Sequence, residues 1–161
     1  FQIAGTSYTG SAANLNTLTA GSTSNASALH EHKATRGKTT FDMSTASSGT
    51  TTIAHSLGVT PKYIRIQTML STNSVAGNAH ISMSSGTYDG TTTLGIFQAI
   101  HPTNDSNSGN STTDIVTAYW TIGTDAHQVM TVAIDATNIT LTNTKTGSPT
   151  GTLEIFWEAY A

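Results

Sequence analysis

Thr152-Leu153-Glu154-Ile155-Phe156-Trp157-Glu158-Ala159-Tyr160 is the stretch whose reading decides the fold class. In an extended chain successive side chains point to opposite faces. Leu153, Ile155, Trp157 and Ala159 then share one side, and Glu154, Phe156, Glu158 and Tyr160 share the other. The first side reads as core, with Leu153, Ile155 and Trp157 inside. The second mixes acids with aromatics and is expected to be partly exposed or at an interface.

The same alternation recurs upstream. In 113–122, Val116, Ala118, Trp120 and Ile122 oppose Ile115, Thr117 and Tyr119, and Met130, Val132 and Ile134 form an inward set in the following run. Runs rich in β-branched and aromatic residues fall near 39–43, 50–55, 62–70, 79–84, 93–100, 113–122, 128–134, 138–143 and 152–160, each bounded by Gly, Asn, Asp, Ser or Pro. About nine strands at this spacing, without helical periodicity between them, give an all-β chain, an antiparallel β-sandwich or jelly roll, and exclude a βαβ fold. Threonine on outward positions suits strands that face water without charge. Pro61 opens a strand, where its missing N–H is tolerated, and Gly147-Ser148-Pro149-Thr150-Gly151 marks a wide turn. The stretch 101–111, polar after His101, reads as the longest loop, either functional or a tolerated surface insertion.

Residues 1–37 read differently. Ser11 can cap a short helical turn through Leu15 and Leu18, with Gly21 where a left-handed stop belongs. A segment this poor in apolar residues cannot bury itself and gains order by packing against identical copies or a neighbouring protein. It is expected to be an attachment or trimerisation stem over 1–37, with Phe1, Ile3 and Tyr8 as attachment residues, followed by a head domain over 38–161.

The chain has 161 residues, of which 9% are charged, six basic against nine acidic. Typical soluble domains carry about 25% charged residues. A net charge of −3 cannot supply the phosphate neutralisers on which nucleic-acid affinity rests. The apolar runs are far short of the roughly 20 residues that span a bilayer, so neither nucleic acid nor membrane insertion is expected. No cysteine is present, which removes disulfides, thiolate metal sites and thiol redox chemistry.

His30-Glu31-His32 is the most specific motif. In an extended segment both imidazoles point to one side, and three parallel copies around a threefold axis would gather six nitrogens. Such a set can surround iron, nickel, cobalt or zinc, or hold an anion when protonated. The alternative is two exposed histidines in a polar linker. His55, His80, His101 and His127 are scattered, the G-x-S-x-G elbow is absent, and Glu154 and Glu158 are too far apart along one strand for paired carboxylate chemistry. No enzymatic activity is expected. Tyr88 and Asp89, at the tip of Ser84-Ser85-Gly86-Thr87-Tyr88-Asp89-Gly90, with Asn104 and Asn107 in the long loop, are candidates for ligand binding, since an aromatic face flanked by hydrogen-bonding groups suits sugars. The same tip is also ordinary hairpin chemistry.

Ala12-Ala13-Asn14-Leu15-Asn16-Thr17-Leu18-Thr19-Ala20-Gly21-Ser22, leading into Ala28-Leu29-His30-Glu31-His32, resembles a linker of tailed-bacteriophage fibre and spike proteins that precedes a C-terminal β-domain. Phe41-Asp42-Met43-Ser44-Thr45-Ala46, with Thr52-Ile53-Ala54-His55-Ser56-Leu57-Gly58-Val59-Thr60-Pro61-Lys62, is similar to the opening of small phage-encoded β-sandwich tips, and Ile139 to Trp157 with Glu158-Ala159 to their closing strands. The resemblance implies a homotrimer on the virion surface, a metal held by His30 and His32 on the threefold axis, and other virion proteins as partners of the stem. Its implied task is adhesion to a host-surface glycan or protein. Capsid decoration, as a head fibre, is the second expectation, and a secreted lectin-like adhesin the third.

Overall fold

The computed structural model describes residues 2–3, 6–7, 33–70, 74–75, 78–79, 81–100, 106–121 and 126–161. The chain divides into two compact units, Phe1–His32 and Lys33–Ala161. In the first, β1 (Gln2–Ile3) pairs antiparallel with β2 (Thr6–Ser7). The expected helical turn at Ser11–Gly21 lies outside the described residues.

The second unit holds β3 (Ala34–Asp42), β4 (Thr50–Ala54), β5 (Tyr63–Leu70), β6 (Ser74–Val75), β7 (Asn78–Ala79), β8 (Ile81–Tyr88), β9 (Thr93–Ile100), β10 (Ser106–Ser111), β11 (Val116–Thr121), β12 (Ala126–Ile134), β13 (Asn138–Thr146) and β14 (Thr152–Tyr160). Two antiparallel sheets share one core: six strands in the order β10-β9-β8-β5-β14-β3, and four in the order β11-β12-β13-β4. β6 and β7 form a short separate ladder.

β14 behaves as its alternation requires. Leu153, Ile155 and Ala159 are fully buried and Trp157 nearly so, facing Ile64 and Ile66 of β5 in the same layer. The opposing layer supplies Ile53, Met130, Ile139 and Leu141. Burying such side chains stabilises by roughly 1.5–3 kcal/mol each, which is why the period-two signal locates the core.

Three expectations are corrected by the sheets. The stem was expected to end at Gly37, but β3 starts at Ala34 and pairs with β14 over its full length. Gly37 lies opposite Trp157, and a Cβ there would stand 2.6 Å from the indole, so the aromatic covers the glycine and holds this edge of the sheet. Ser106–Ser111, expected as loop, is the edge strand β10, with Gly109 opposite Phe97 and under its ring. A run of Ser, Asn and Gly has no β-forming signal, so only pairing with β9 makes it a strand.

The third correction concerns β11. Ile115 and Thr117 are buried along with Val116 and Ala118, so the expected in-and-out alternation fails. Met130 is buried and Val132 and Ile134 pack partly buried against the core, as expected of an inward set. β11 contacts β5, β8 and β9 of the other sheet while pairing with β12, so it has sheet on both sides. The Tyr119 amide donates to Ser82 Oγ at 2.9 Å. In the register pair Gly86 and Gly95, a Cβ at Gly86 would lie 2.1 Å from the Ile115 carbonyl oxygen and one at Gly95 2.2 Å from that of Asp114.

Candidate functional site

That close crossing sets the character of β8 and β9. Where the backbones approach, their inner positions are small, Ser82, Ser84 and Gly86 on β8 and Gly95 and Ala99 on β9, while Phe97 is a large inner residue stacked on Tyr119. Thr68 and Ser84 hydroxyls share a buried hydrogen bond of 2.7 Å in the same layer. Apart from Tyr88 and Phe97, which lie on the inner side, the large apolar side chains of these strands point outward: Ile81 and Met83 on β8, Leu94, Ile96 and Ile100 on β9.

The outer face of the six-stranded sheet is read row by row from the register. One row runs Gln98, Met83, Met69, Glu154, Thr40, and the next Ile96, Ser85, Gln67, Phe156, Lys38. A third runs Leu94, Thr87, Arg65, Glu158, Arg36; Tyr63 beside Tyr160 lies beyond this row, and Ile81 beside Ile100 beyond the first, at the two ends of the face. Its Tyr, Met, Ile, Leu and Phe side chains are each between 39% and 63% exposed. Depressions of about 520 Å³ and about 300 Å³ lie among these side chains. Arg36, Arg65, Phe156 and Glu158 line the first, Met83, Ile96 and Gln98 the second, and Gln67 both.

One ion pair on this face is closed in place. Lys38 Nζ lies 2.7 Å from Glu154 Oε2 and 5.7 Å from the Phe156 ring centre. The Tyr160 hydroxyl donates to Glu158 Oε2 at 3.3 Å, and its ring sits 5.9 Å from that of Tyr63. Partial desolvation first, and then the Glu158 carboxylate, hold the Tyr160 hydroxyl above its ordinary value near 10.

Among the described residues, the two stretches expected to bind ligand are not brought together. Tyr88 ends β8 and faces Thr93, whereas Asn107 pairs with Ala99 near the other end of β9. Six residues of strand separate these ends, roughly 20 Å. The Tyr88 hydroxyl donates to the Gly90 carbonyl at 2.8 Å. Asp89 Oδ1 accepts from the Thr91 amide and hydroxyl and from the Thr92 amide, at 3.0, 2.8 and 2.7 Å. These hydrogen bonds, the Thr92 amide first, hold the Asp89 carboxyl below its ordinary value. The tip is thus engaged in closing its own hairpin. Ile3 lies in β1 opposite Thr6. Phe1, Tyr8, His30, His32 and Asn104 lie outside the described residues.

Among the described residues no three His, Cys, Asp or Glu side chains gather to hold a metal. Nor is any helix long and apolar enough to cross a membrane. His55 is buried in a structural setting: Nε2–H donates to the Asp135 carbonyl at 3.0 Å, and Nδ1 accepts from the Leu57 amide at 3.3 Å. A half-buried ladder of rings runs from Phe97 to Tyr119, with centres 5.5 Å apart, and on to His127 at 4.7 Å.

Sequence reasoning expected the Phe156 and Tyr160 side of β14 to be partly exposed or at an interface, and both side chains are partly exposed, but it assigned no faces to β8 and β9. The signal was present in 93–100, where Thr93, Gly95 and Ala99 alternate with Leu94, Ile96 and Ile100. Small residues on one side of a strand mark the close approach of another backbone.

No protein-family description and no curated protein matches this chain. Among solved structures it is similar to the tailspike protein of Acinetobacter phage vB_ApiP_P1, with 12% identity and a TM-score of 0.32 over 78% of this chain. The chain spans about a fifth of that tailspike, 21% of its length.

Proposed function

We propose that the chain is a noncatalytic protein of a phage virion surface, in which an N-terminal stem attaches and trimerises and a β-sandwich head is displayed for adhesion to the host surface. The observation that carries the reading is the position of the head. A self-contained β-unit begins at Lys33, directly behind the Leu29-His30-Glu31-His32 stretch that resembles the fibre and spike linkers. Low charge, abundant threonine and no cysteine suit a particle that persists outside cells. In this reading His30 and His32 of three copies would form one metal staple, which converts metal affinity into assembly energy.

The test is immunogold electron microscopy with an antibody raised against residues 33–161, on particles that carry the gene. Label at the tail tip is expected, together with inhibition of adsorption by the same antibody. Label over the capsid would replace adhesion by decoration. Unlabelled particles with label on host cells would overturn the virion reading in favour of a secreted adhesin.

A further inference from the structure

The two outer faces of the head are finished differently. On the four-stranded sheet the register sets Thr50 and Thr52 of β4 beside Thr142 and Thr140 of β13, a polar uncharged surface suited to water. On the six-stranded sheet the corresponding positions hold Met69, Met83, Leu94, Ile96 and Phe156. Monomeric proteins rarely expose contiguous apolar patches beyond a few hundred Å². Thr40 and Thr87 also lie on this face, but they do not break up its apolar positions.

We propose that this outer face of the six-stranded sheet is a homotypic contact, covered by the same face of a second copy of the chain. Area is the first argument. At their observed exposures the apolar side chains of the face amount to on the order of 800 Å², which matches the share of one partner in a stable interface.

Charge is the second. Arg36, Lys38 and Arg65 stand in columns beside Glu154 and Glu158, so the face is close to neutral within a chain of net charge −3. An identical face therefore meets it without the repulsion that the rest of the surface would bring. Each copy also carries the counter-charges the other needs, as an isologous contact demands. A strongly basic or acidic partner finds no complementary field. Two sheets stacked in this way sit about 10 Å apart, the spacing at which their side chains interdigitate. The inference stands on the face itself and does not require the virion reading.

The four methionines provide the test. Met43 and Met130 are fully buried in the head, whereas Met69 and Met83 lie on the face, 45% and 44% exposed in the single chain. The purified full-length chain is sized by light scattering and treated with dilute peroxide, and oxidation of each methionine is followed by peptide mass spectrometry. The contact predicts a multimeric mass, with Met69 and Met83 protected at least about tenfold relative to a free methionine. Ile96→Lys and Leu94→Lys, both at highly exposed positions that tolerate lysine in the single chain, should each restore fast oxidation of Met69 and Met83 while Met43 and Met130 stay protected. Thr142→Lys should change nothing. A monomeric wild-type mass overturns the contact, as does oxidation of Met69 and Met83 at one rate in wild type and both lysine variants. Either result on a chain that still labels virions removes the contact and leaves the display reading in place.

Discussion

Gln128 shows how much of this fold depends on single buried polar groups. Its Nε2 donates to the carbonyls of Met43 and Thr45 at 2.8 and 3.0 Å, and its Oε1 accepts from Asn143 Nδ2, which also reaches the Ala46 carbonyl. Two side chains from β12 and β13 thereby hold the 43–46 turn, and the bond to the buried Met43 carbonyl is the one whose loss would leave a buried acceptor without a partner. Gln128→Leu should cost about 2–3 kcal/mol in urea unfolding, because it removes the donor while the Met43 carbonyl stays buried. A loss below about 0.5 kcal/mol would show that the turn finds other partners. Gly86 and Gly95 make the complementary case of a residue defined by what is missing. Gly86→Ala or Gly95→Ala places a methyl within 2.2 Å of a carbonyl oxygen, and each should destabilise by at least about 2 kcal/mol. An unchanged unfolding midpoint would mean that β11 does not cross there. Neither role is legible in sequence, where Gly86 reads as a turn residue and Gln128, on the inward side with Met130, gives no sign of the carbonyls it holds.

At the level of elements, two hairpins are closed by one device. Asp89 with Thr91 and Thr92, and Asp135 with Thr137 and Asn138, each use a single carboxylate oxygen to accept two amides and a hydroxyl. At Asp135 the Thr137 amide, then its hydroxyl, keep the carboxyl below its ordinary value near 3.8, and at Asp42 the Ser44 amide does the same. Since the folded carboxyls lie below that value, the unfolded chain takes up protons first. Their stabilisation is fully present above about pH 4 and is lost as pH falls through the folded values. Thermal melting between pH 5 and pH 2 should show a falling midpoint, and the fall should be shallower in a chain carrying both Asp89→Asn and Asp135→Asn. Parallel curves would contradict this account of the turns. The strands with β-branched and aromatic alternation, β5 and β14 above all, were legible because one face is buried. β10 and the outer half of β8 were not, because a neighbouring strand or a crossing backbone makes them strands, and their own composition does not.

For the whole molecule, an all-β chain with its core behind Leu153, Ile155 and Trp157 was readable from the period of two. The candidate site was less so. Asn104 and Asn107 were grouped with Tyr88 and Asp89 because both stretches look like polar loops, but Asn107 and Tyr88 belong near opposite ends of the six-stranded sheet. The broad apolar face emerges only when Met83, Ile96 and Phe156, distant in sequence, are set side by side by strand register. The proposed stem makes the working unit a trimer, whereas the proposed head contact, being isologous, pairs chains across a twofold axis and can join two such trimers. Native mass spectrometry of the full-length chain, with and without a chelator, tests the trimer most directly. The account predicts one metal ion for every three chains, in a mass of three chains or of six where the head faces also pair, the ion being lost on chelation and in the His30→Ala, His32→Ala double variant. A metal-free chain of monomer mass at every concentration would contradict it.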